Sequence, residues 1–198
     1  MSDNYVITIS REFGSMGRTI ARKMSQELNI DFYDRDIVEE VSKRMGLPVP
    51  TISDAEEKAS NYFSRRFPLG NVTTELQDQI FHVQQDIIRN LAAKESCIIV
   101  GRCADYVLRD HKNHMRVYIY TSYENKYNNC VNNLLINPKE AEKMIKSVDK
   151  ARKAYHMRYA KYSPDDARYK DILVDSSFLG VEGTAHMLVN VVKSKFNL

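Results

Sequence analysis

Residues 6–18 read VITISREFGSMGR, and the fold turns on how they are read. An apolar run ending at Ile9 passes into a loop carrying Gly14 and Gly17, and then into a stretch where Ile20, Met24 and Leu28 recur every four residues. The pattern is strand, glycine-rich loop, helix. A helix entered from such a loop aims its first backbone N–H groups and the positive end of its dipole at one spot, which is how proteins hold phosphate. The phosphate-loop spacing G-x-x-x-x-G-K-[ST] is met only in part. Gly17 fits the second glycine and Thr19 the hydroxyl, while Arg18 stands where lysine is expected and Glu12 where the first glycine belongs. Glycine in such a turn also has a purely steric explanation, so the loop needs support from the rest of the chain.

That support begins with the spacing of the other apolar runs. After the first helix, Thr19 to Leu28 with Asn29 as its terminator, Ile30, Phe32 and Tyr33 form a short strand-like run. Asp36 is placed to cap a helix whose apolar face is Ile37, Val38, Val41 and Met45, and Gly46, Pro48 and Pro50 stop it. From Thr51 to Thr74 the periodicity fails and an insertion is expected, with a short helix from Asp54 to Arg65. Leu76, Ile80, Val83, Ile87 and Leu91 then mark a long helix with one apolar stripe. Short apolar strands are expected at Cys97–Val100, Val117–Tyr120 and Ile172–Val174, with a basic helix over Pro138–Tyr162 and a last helix from Glu182 to about Phe196. On the basic helix Met144, Val148, Ala151 and Tyr155 share an apolar face, while Asp149, Arg152 and His156 fall together on another.

Apolar strands alternating with amphipathic helices predict an α/β fold, a parallel sheet covered on both faces. Ligands then bind at the carboxyl ends of the strands, where this chain carries Gly14, Arg35, Arg102 and Asp175. Arg102 directly after a buried strand is placed over that crevice; its alternative is an ion pair with Asp105 or Asp110.

Composition narrows the function classes. With 198 residues, 43% of them hydrophobic, the chain can bury one full core. Its apolar runs are too short to cross a bilayer, and no signal-like leader opens it, so a cytoplasmic protein is expected. Cys97, Cys103 and Cys130 lack C-x-x-C spacing and are read as reduced thiols, and the five histidines lack metal spacing. Net charge is +3, yet between Lys143 and Lys170 lysine and arginine outnumber aspartate nine to three. A basic block on a mildly acidic remainder suggests one polyanion contact, although charge on a helix is commonly just a solvated face.

Taken together and in order, ITISREFGSMGR, FYDRD, IIVGRCADYVL, VDKARKAY and ILVDSSFLGVEG resemble the cytidylate kinase-like family, relatives of the nucleoside monophosphate kinases. The resemblance spans nearly the whole chain. It implies a P-loop kinase fold in a single domain over 1–198, an acceptor-binding insertion over 46–80 and a basic helical lid over 126–165. The implied reaction is Mg2+-dependent transfer of the γ-phosphoryl group of ATP to CMP or a related monophosphate. On this reading Gly14, Ser15, Met16, Gly17, Arg18 and Thr19 cradle the donor phosphates, with Ser15 and Thr19 as candidate Mg2+ hydroxyls and Arg18 supplying charge. Asp34, Arg35, Arg102 and Asp105 face the acceptor, Arg152 closes over the transferring group and Asp175 lies near the adenine. Arg18, Arg102 and Arg152 are the implied catalytic residues.

Phosphoryl transfer asks for residues of these types, because it depends on alignment and charge neutralisation rather than on a protein nucleophile. Met16 replaces a further glycine of the family, and Lys126 and Asn129 replace lid arginines. These departures leave room for a nucleotide-binding sensor of the same fold with little catalysis. A nucleic-acid-binding module is a further alternative, with the Lys143–Lys170 block as its charge and Tyr155, Tyr159, Tyr162 and Tyr169 as stacking surfaces.

Overall fold

The computed structural model describes residues 4–57 and 74–198. Five strands, β1 (Val6–Arg11), β2 (Asp31–Tyr33), β3 (Cys97–Val100), β4 (His114–Tyr120) and β5 (Ile172–Asp175), form one parallel sheet in the order β2-β3-β1-β4-β5. Val6 pairs with Cys97 on one side and His114 on the other. The helices are α1 (Gly17–Leu28), α2 (Arg35–Met45), α3 (Val49–Glu57), α4 (Thr74–Lys94), α5 (Ala104–Val107), α6 (Tyr123–Asn128), α7 (Pro138–Ala160) and α8 (Ser176–Phe196).

The two-residue period of the central strands builds a core on each face. Val6, Cys97 and Ile99 point to one side, where Ile37 and Val41 of α2 and Ile80 and Ile88 of α4 cover them. Ile7, Ile9, Ile98 and Val100 point to the other, against Ile20 and Met24 of α1 and Leu188 and Val189 of α8. The chain leaves β1 toward the β2 edge and leaves β4 toward the β5 edge, so the loops after these neighbours diverge and open a crevice at their carboxyl ends.

Several elements differ from the sequence reading for local reasons. Asp34, not Asp36, takes the N-cap position of α2. Helix α2 ends at Met45 with Gly46 at its C-cap, as read, but a further helix follows at once, with Pro50 in the first turn of α3, where its missing N–H would have had no intrahelical partner. The expected Asp54–Arg65 helix overlaps α3 over 54–57 and otherwise lies outside the described residues. β5 is an edge strand and only partly buried, unlike β3. Asn29 closes α1 in the left-handed conformation, as expected of a terminator. On α7 Ala151 and Tyr155 are buried as read, but Ala141, Ile145, His156 and Ala160 complete the stripe, with Met144 and Val148 half-buried. Helix α6 and the π-helical turn Asn129–Asn133 have no apolar periodicity to announce them. Cys97, Cys103 and Cys130 are buried free thiols, and no helix among the described residues is long and apolar enough to cross a membrane.

Candidate functional site

A cleft of about 990 Å3 opens at the carboxyl ends of β1, β3 and β4. Its walls are the loop between β1 and α1, the start of α2, the turn after β3 and one face of α7. Such a volume suits an organic ligand of nucleotide size.

The N-terminus of α1 faces this space. Its N-cap residue, Met16, holds φ 60° and ψ 15°, and no side chain caps the helix. Its first N–H groups are therefore available to a ligand. The left-handed conformation costs a non-glycine residue about 1–2 kcal/mol, so Met16 carries local strain. The flanking glycines are sterically required. A Cβ on Gly14 would lie 2.8 Å from the carbonyl oxygen of Lys126, and one on Gly17 would lie 2.8 Å from the Cβ of Arg11.

The turn after β3 is strained in the same sense. Gly101, Arg102 and Cys103 have φ of 78°, 55° and 52°, and the amide of Ala104 donates to the carbonyl of Gly101 at 3.0 Å. This tight turn lifts Arg102 over the crevice; unusual backbone of this kind concentrates at functional sites. Arg102 lies over the crevice and also pairs there, with Asp34 and not with Asp105 or Asp110, the partners named in the alternative reading. Asp34 is buried and gathers three arginines: Arg18 Nε at 3.0 Å, Arg11 Nη2 at 3.6 Å and Arg102 Nη2 at 3.9 Å. The Arg18 N–H is misaligned for a hydrogen bond despite the short separation. Three guanidinium groups thus converge on one side of the cleft, groups of the kind that bind phosphate.

The other named residues separate into those the cleft brings together and those it does not. Met16, Gly17, Arg18, Thr19, Asp34, Arg35, Arg102 and Arg152 all line it. Arg152 donates to the carbonyl oxygen of Arg11 at 3.3 Å, and its guanidinium lies 5.8 Å from the ring centroid of Phe13. Ser15 does not line the cleft; it is fully buried and its hydroxyl donates to the carbonyl of Glu12 at 2.9 Å. Asp175 is turned to another task, capping α8 by accepting from the Ser177 amide at 2.9 Å.

Asp105 lies beneath the cleft. Both its oxygens are 3.1 Å from His156 Nε2, the Tyr162 hydroxyl donates at 3.2 Å and the buried ammonium of Lys170 completes its shell. Burial pushes its pKa up, but the His156 hydrogen bond and the Lys170 charge outweigh this and hold it well below the usual carboxylate range. Asp105 thus braces α5 and α7 beneath the site.

Arg11 has no role in the sequence reading, and Lys126 and Asn129 figure there as replacements of lid arginines. Arg11 ends β1 as Arg102 follows β3, and that shared position was the available signal. Lys126 and Asn129 support the loop from below, since Lys126 Nζ bridges Glu12 at 2.8 Å and Asp149 at 3.0 Å while Asn129 Nδ2 donates to the Gly14 carbonyl at 2.8 Å.

A model of the cytidylate kinase-like family matches residues 6–178. The chain belongs to that family. Solved structures agree on the fold. An uncharacterized protein from Eubacterium ventriosum is 28% identical, with 96% of this chain and 99% of that chain covered and a TM-score of 0.74. Shikimate kinase from Bacteroides thetaiotaomicron (9% identity, coverage 96% and 98%, TM-score 0.58) and a gluconokinase from Sinorhizobium meliloti (11% identity, coverage 100% and 94%, TM-score 0.53) share the architecture alone. No curated protein sequence matches the chain. Family and architecture together mark a phosphotransferase with the P-loop kinase fold.

Proposed function

We propose that the protein is a Mg2+-dependent nucleoside monophosphate kinase that moves the γ-phosphoryl group of ATP to CMP or a related monophosphate. The observation that carries this reading is the convergence, in one cleft, of the uncapped α1 N-terminus with arginines from four elements: Arg11, Arg18, Arg102 and Arg152. The loop Gly14–Thr19 takes the donor phosphates on its backbone N–H groups. Arg35 and Arg102, on the α2 and β3 side, take the acceptor phosphate, and Arg152 on α7 neutralises charge on the group in transit. Residues 46–80 serve as the acceptor-binding insertion and 126–165 as the lid.

The residues present fit Mg2+. No group of three or more acidic, histidine or cysteine side chains among the described residues forms a ready cage, and Mg2+ characteristically keeps its waters and binds through few protein ligands plus phosphate oxygens. Thr19 would hold it, a reading supported by its position on the cleft wall, whereas Ser15 is fully buried. The ion when bound neutralises phosphate charge; the chain's own part is alignment and exclusion of water.

A coupled assay with ATP and each of CMP, dCMP, UMP and AMP tests the proposal. Turnover with at least one acceptor is expected, and none with any, using folded protein, would overturn it. A sensor role draws on one observation, the pairing of Arg18 with Asp34, which holds the loop's own cation away from a donor. Calorimetry separates the two readings: binding of ATP and CMP with no ADP formed favours the sensor. Against the nucleic-acid reading, Tyr155 is buried, Tyr159 stacks on Phe81 and Tyr162 on Tyr169, the two stacks each at 3.8 Å between centroids, which leaves Tyr169 as the exposed ring of the four.

A further inference from the structure

Beneath the glycine loop lies a charge arrangement that phosphate binding does not explain by itself. Glu12 and Asp149 both line the cleft beside the loop, each with a quarter of its side chain exposed. Two carboxylates at the edge of an anion site oppose its function, since like charges a few ångströms apart repel strongly where solvent is thin. Between them sits Lys126, its side chain 11% exposed, with Nζ 2.8 Å from Glu12 Oε2 and 3.0 Å from Asp149 Oδ2. Burial draws its pKa down, but hydrogen bonds to both carboxylates outweigh this and hold it above the ordinary lysine value, so the ammonium stays charged.

The carboxylates are needed where they are. Asp149 Oδ1 accepts from the Phe13 amide at 2.6 Å, fixing the entry to the loop, and Glu12 Oε2 accepts from the Thr121 amide at 3.2 Å, tying the loop to the end of β4. The backbone of Lys126 is in turn the surface against which Gly14 packs. The acids shape the loop, and something must cancel their charge.

We propose that Lys126 is a built-in counter-ion to Glu12 and Asp149, a positioning residue that lets two acids brace the phosphate loop without repelling its ligand. The proposal rests on the reading of this loop as the donor-phosphate site. It assigns Lys126 a different task from a lid arginine: it acts through the two carboxylates, from below, rather than by reaching over the phosphates.

Calorimetry with ATP, and separately with inorganic tripolyphosphate, tests it on folded variants. Lys126→Met is expected to weaken both ligands about tenfold or more, because it unmasks one further negative charge at short range. Lys126→Arg keeps the charge and is expected to stay within about threefold of wild type. The double variant E12Q/K126M removes the mask and one masked charge together and is expected to regain most of the lost affinity. Glu12→Gln alone, which leaves the lysine in place and serves should K126M fold poorly, is expected to bind both ligands more tightly than wild type. A double variant as weak as K126M, unaltered binding by K126M, or weaker binding by E12Q would each overturn the masking role while leaving the donor site intact. Wild-type protein that binds neither ligand would instead overturn the donor reading, and this inference with it.

Discussion

His114 offers a test of the fold that does not depend on any ligand. It opens β4, is 8% exposed, and its Nε2 lies 2.7 Å from the hydroxyl of Thr8 on the neighbouring strand β1. Burial, helped by the charge of Arg116, pulls its pKa down from 6.5 to about 4, against the weaker pull of Asp105, Asp171 and a backbone hydrogen bond to Leu108. The unfolded chain therefore binds a proton in a range where the folded protein does not, and stability falls as pH is lowered through that window. Integrating the difference gives a loss of about 2 kcal/mol by pH 5 and about 3 kcal/mol by pH 4, with almost none at pH 7.5. His114→Gln keeps a polar group toward Thr8 but cannot titrate. Urea unfolding of both proteins from pH 7.5 to pH 4 isolates the effect, because every other titrating group cancels in the difference. Wild type minus variant is expected to shrink, or change sign, by about 2–3 kcal/mol across the range. A difference that stays constant would refute the argument that His114 is held neutral by burial.

Other outcomes follow from the site. Replacing Met16 by glycine relieves about 1–2 kcal/mol of left-handed strain and gives back about 0.5–1 in unfolded-chain entropy, so thermal melts are expected to rise slightly. On the proposed function its turnover is expected to change less than about threefold, and a hundredfold gain would show that the methionine had been limiting. Thr19→Ala is expected to lower kcat at least about tenfold and raise the Mg2+ concentration needed for half-maximal rate. Ser15→Ala, in contrast, costs about 1 kcal/mol of stability through its lost hydrogen bond and leaves the Mg2+ titration unchanged. Asp105→Asn strands the fully buried Lys170 ammonium and is expected to destabilise by about 3–5 kcal/mol in urea. Because Asp105's pKa is lowered, its own stabilisation is present above the unfolded carboxylate value and is lost only in more acid solution than His114's.

What the sequence made legible was periodic or local. The strand, glycine loop and helix over 6–28, the α4 stripe and the apolar strands each carry their signal within a few residues, and the parallel sheet follows from their alternation. Arg35 and Arg102 were recognisable as site residues because they follow strands, and Asp34 was named through the family resemblance, yet the pairing of Asp34 with Arg102 was not legible. It depends on β2, β3 and β1 lying side by side, and no linear spacing encodes that neighbourhood. Ser15 and Thr19 looked equivalent as hydroxyls in one loop. They part because the left-handed turn at Met16 sends one side chain inward beneath the loop and leaves the other at the cleft.

Lys126 and Asn129 illustrate the opposite limit. Compared position by position with lid arginines, they read as losses, since neither has an arginine's fork for a phosphate. Three-dimensional context reverses the accounting. The π-helical turn over Asn129–Asn133 brings Cys130 against Gly14 while Asn129 holds the Gly14 carbonyl, and Lys126 joins Glu12 to Asp149. What the gap between Glu12 and Asp149 asks of residue 126 is a positive charge, which the lysine ammonium supplies 2.8 Å and 3.0 Å from its two partners. The same basic residue type is thus put to use on the underside of the loop, where charge and packing are decided together. For that reason the count of lid arginines is a poor guide to whether this loop can hold a phosphate.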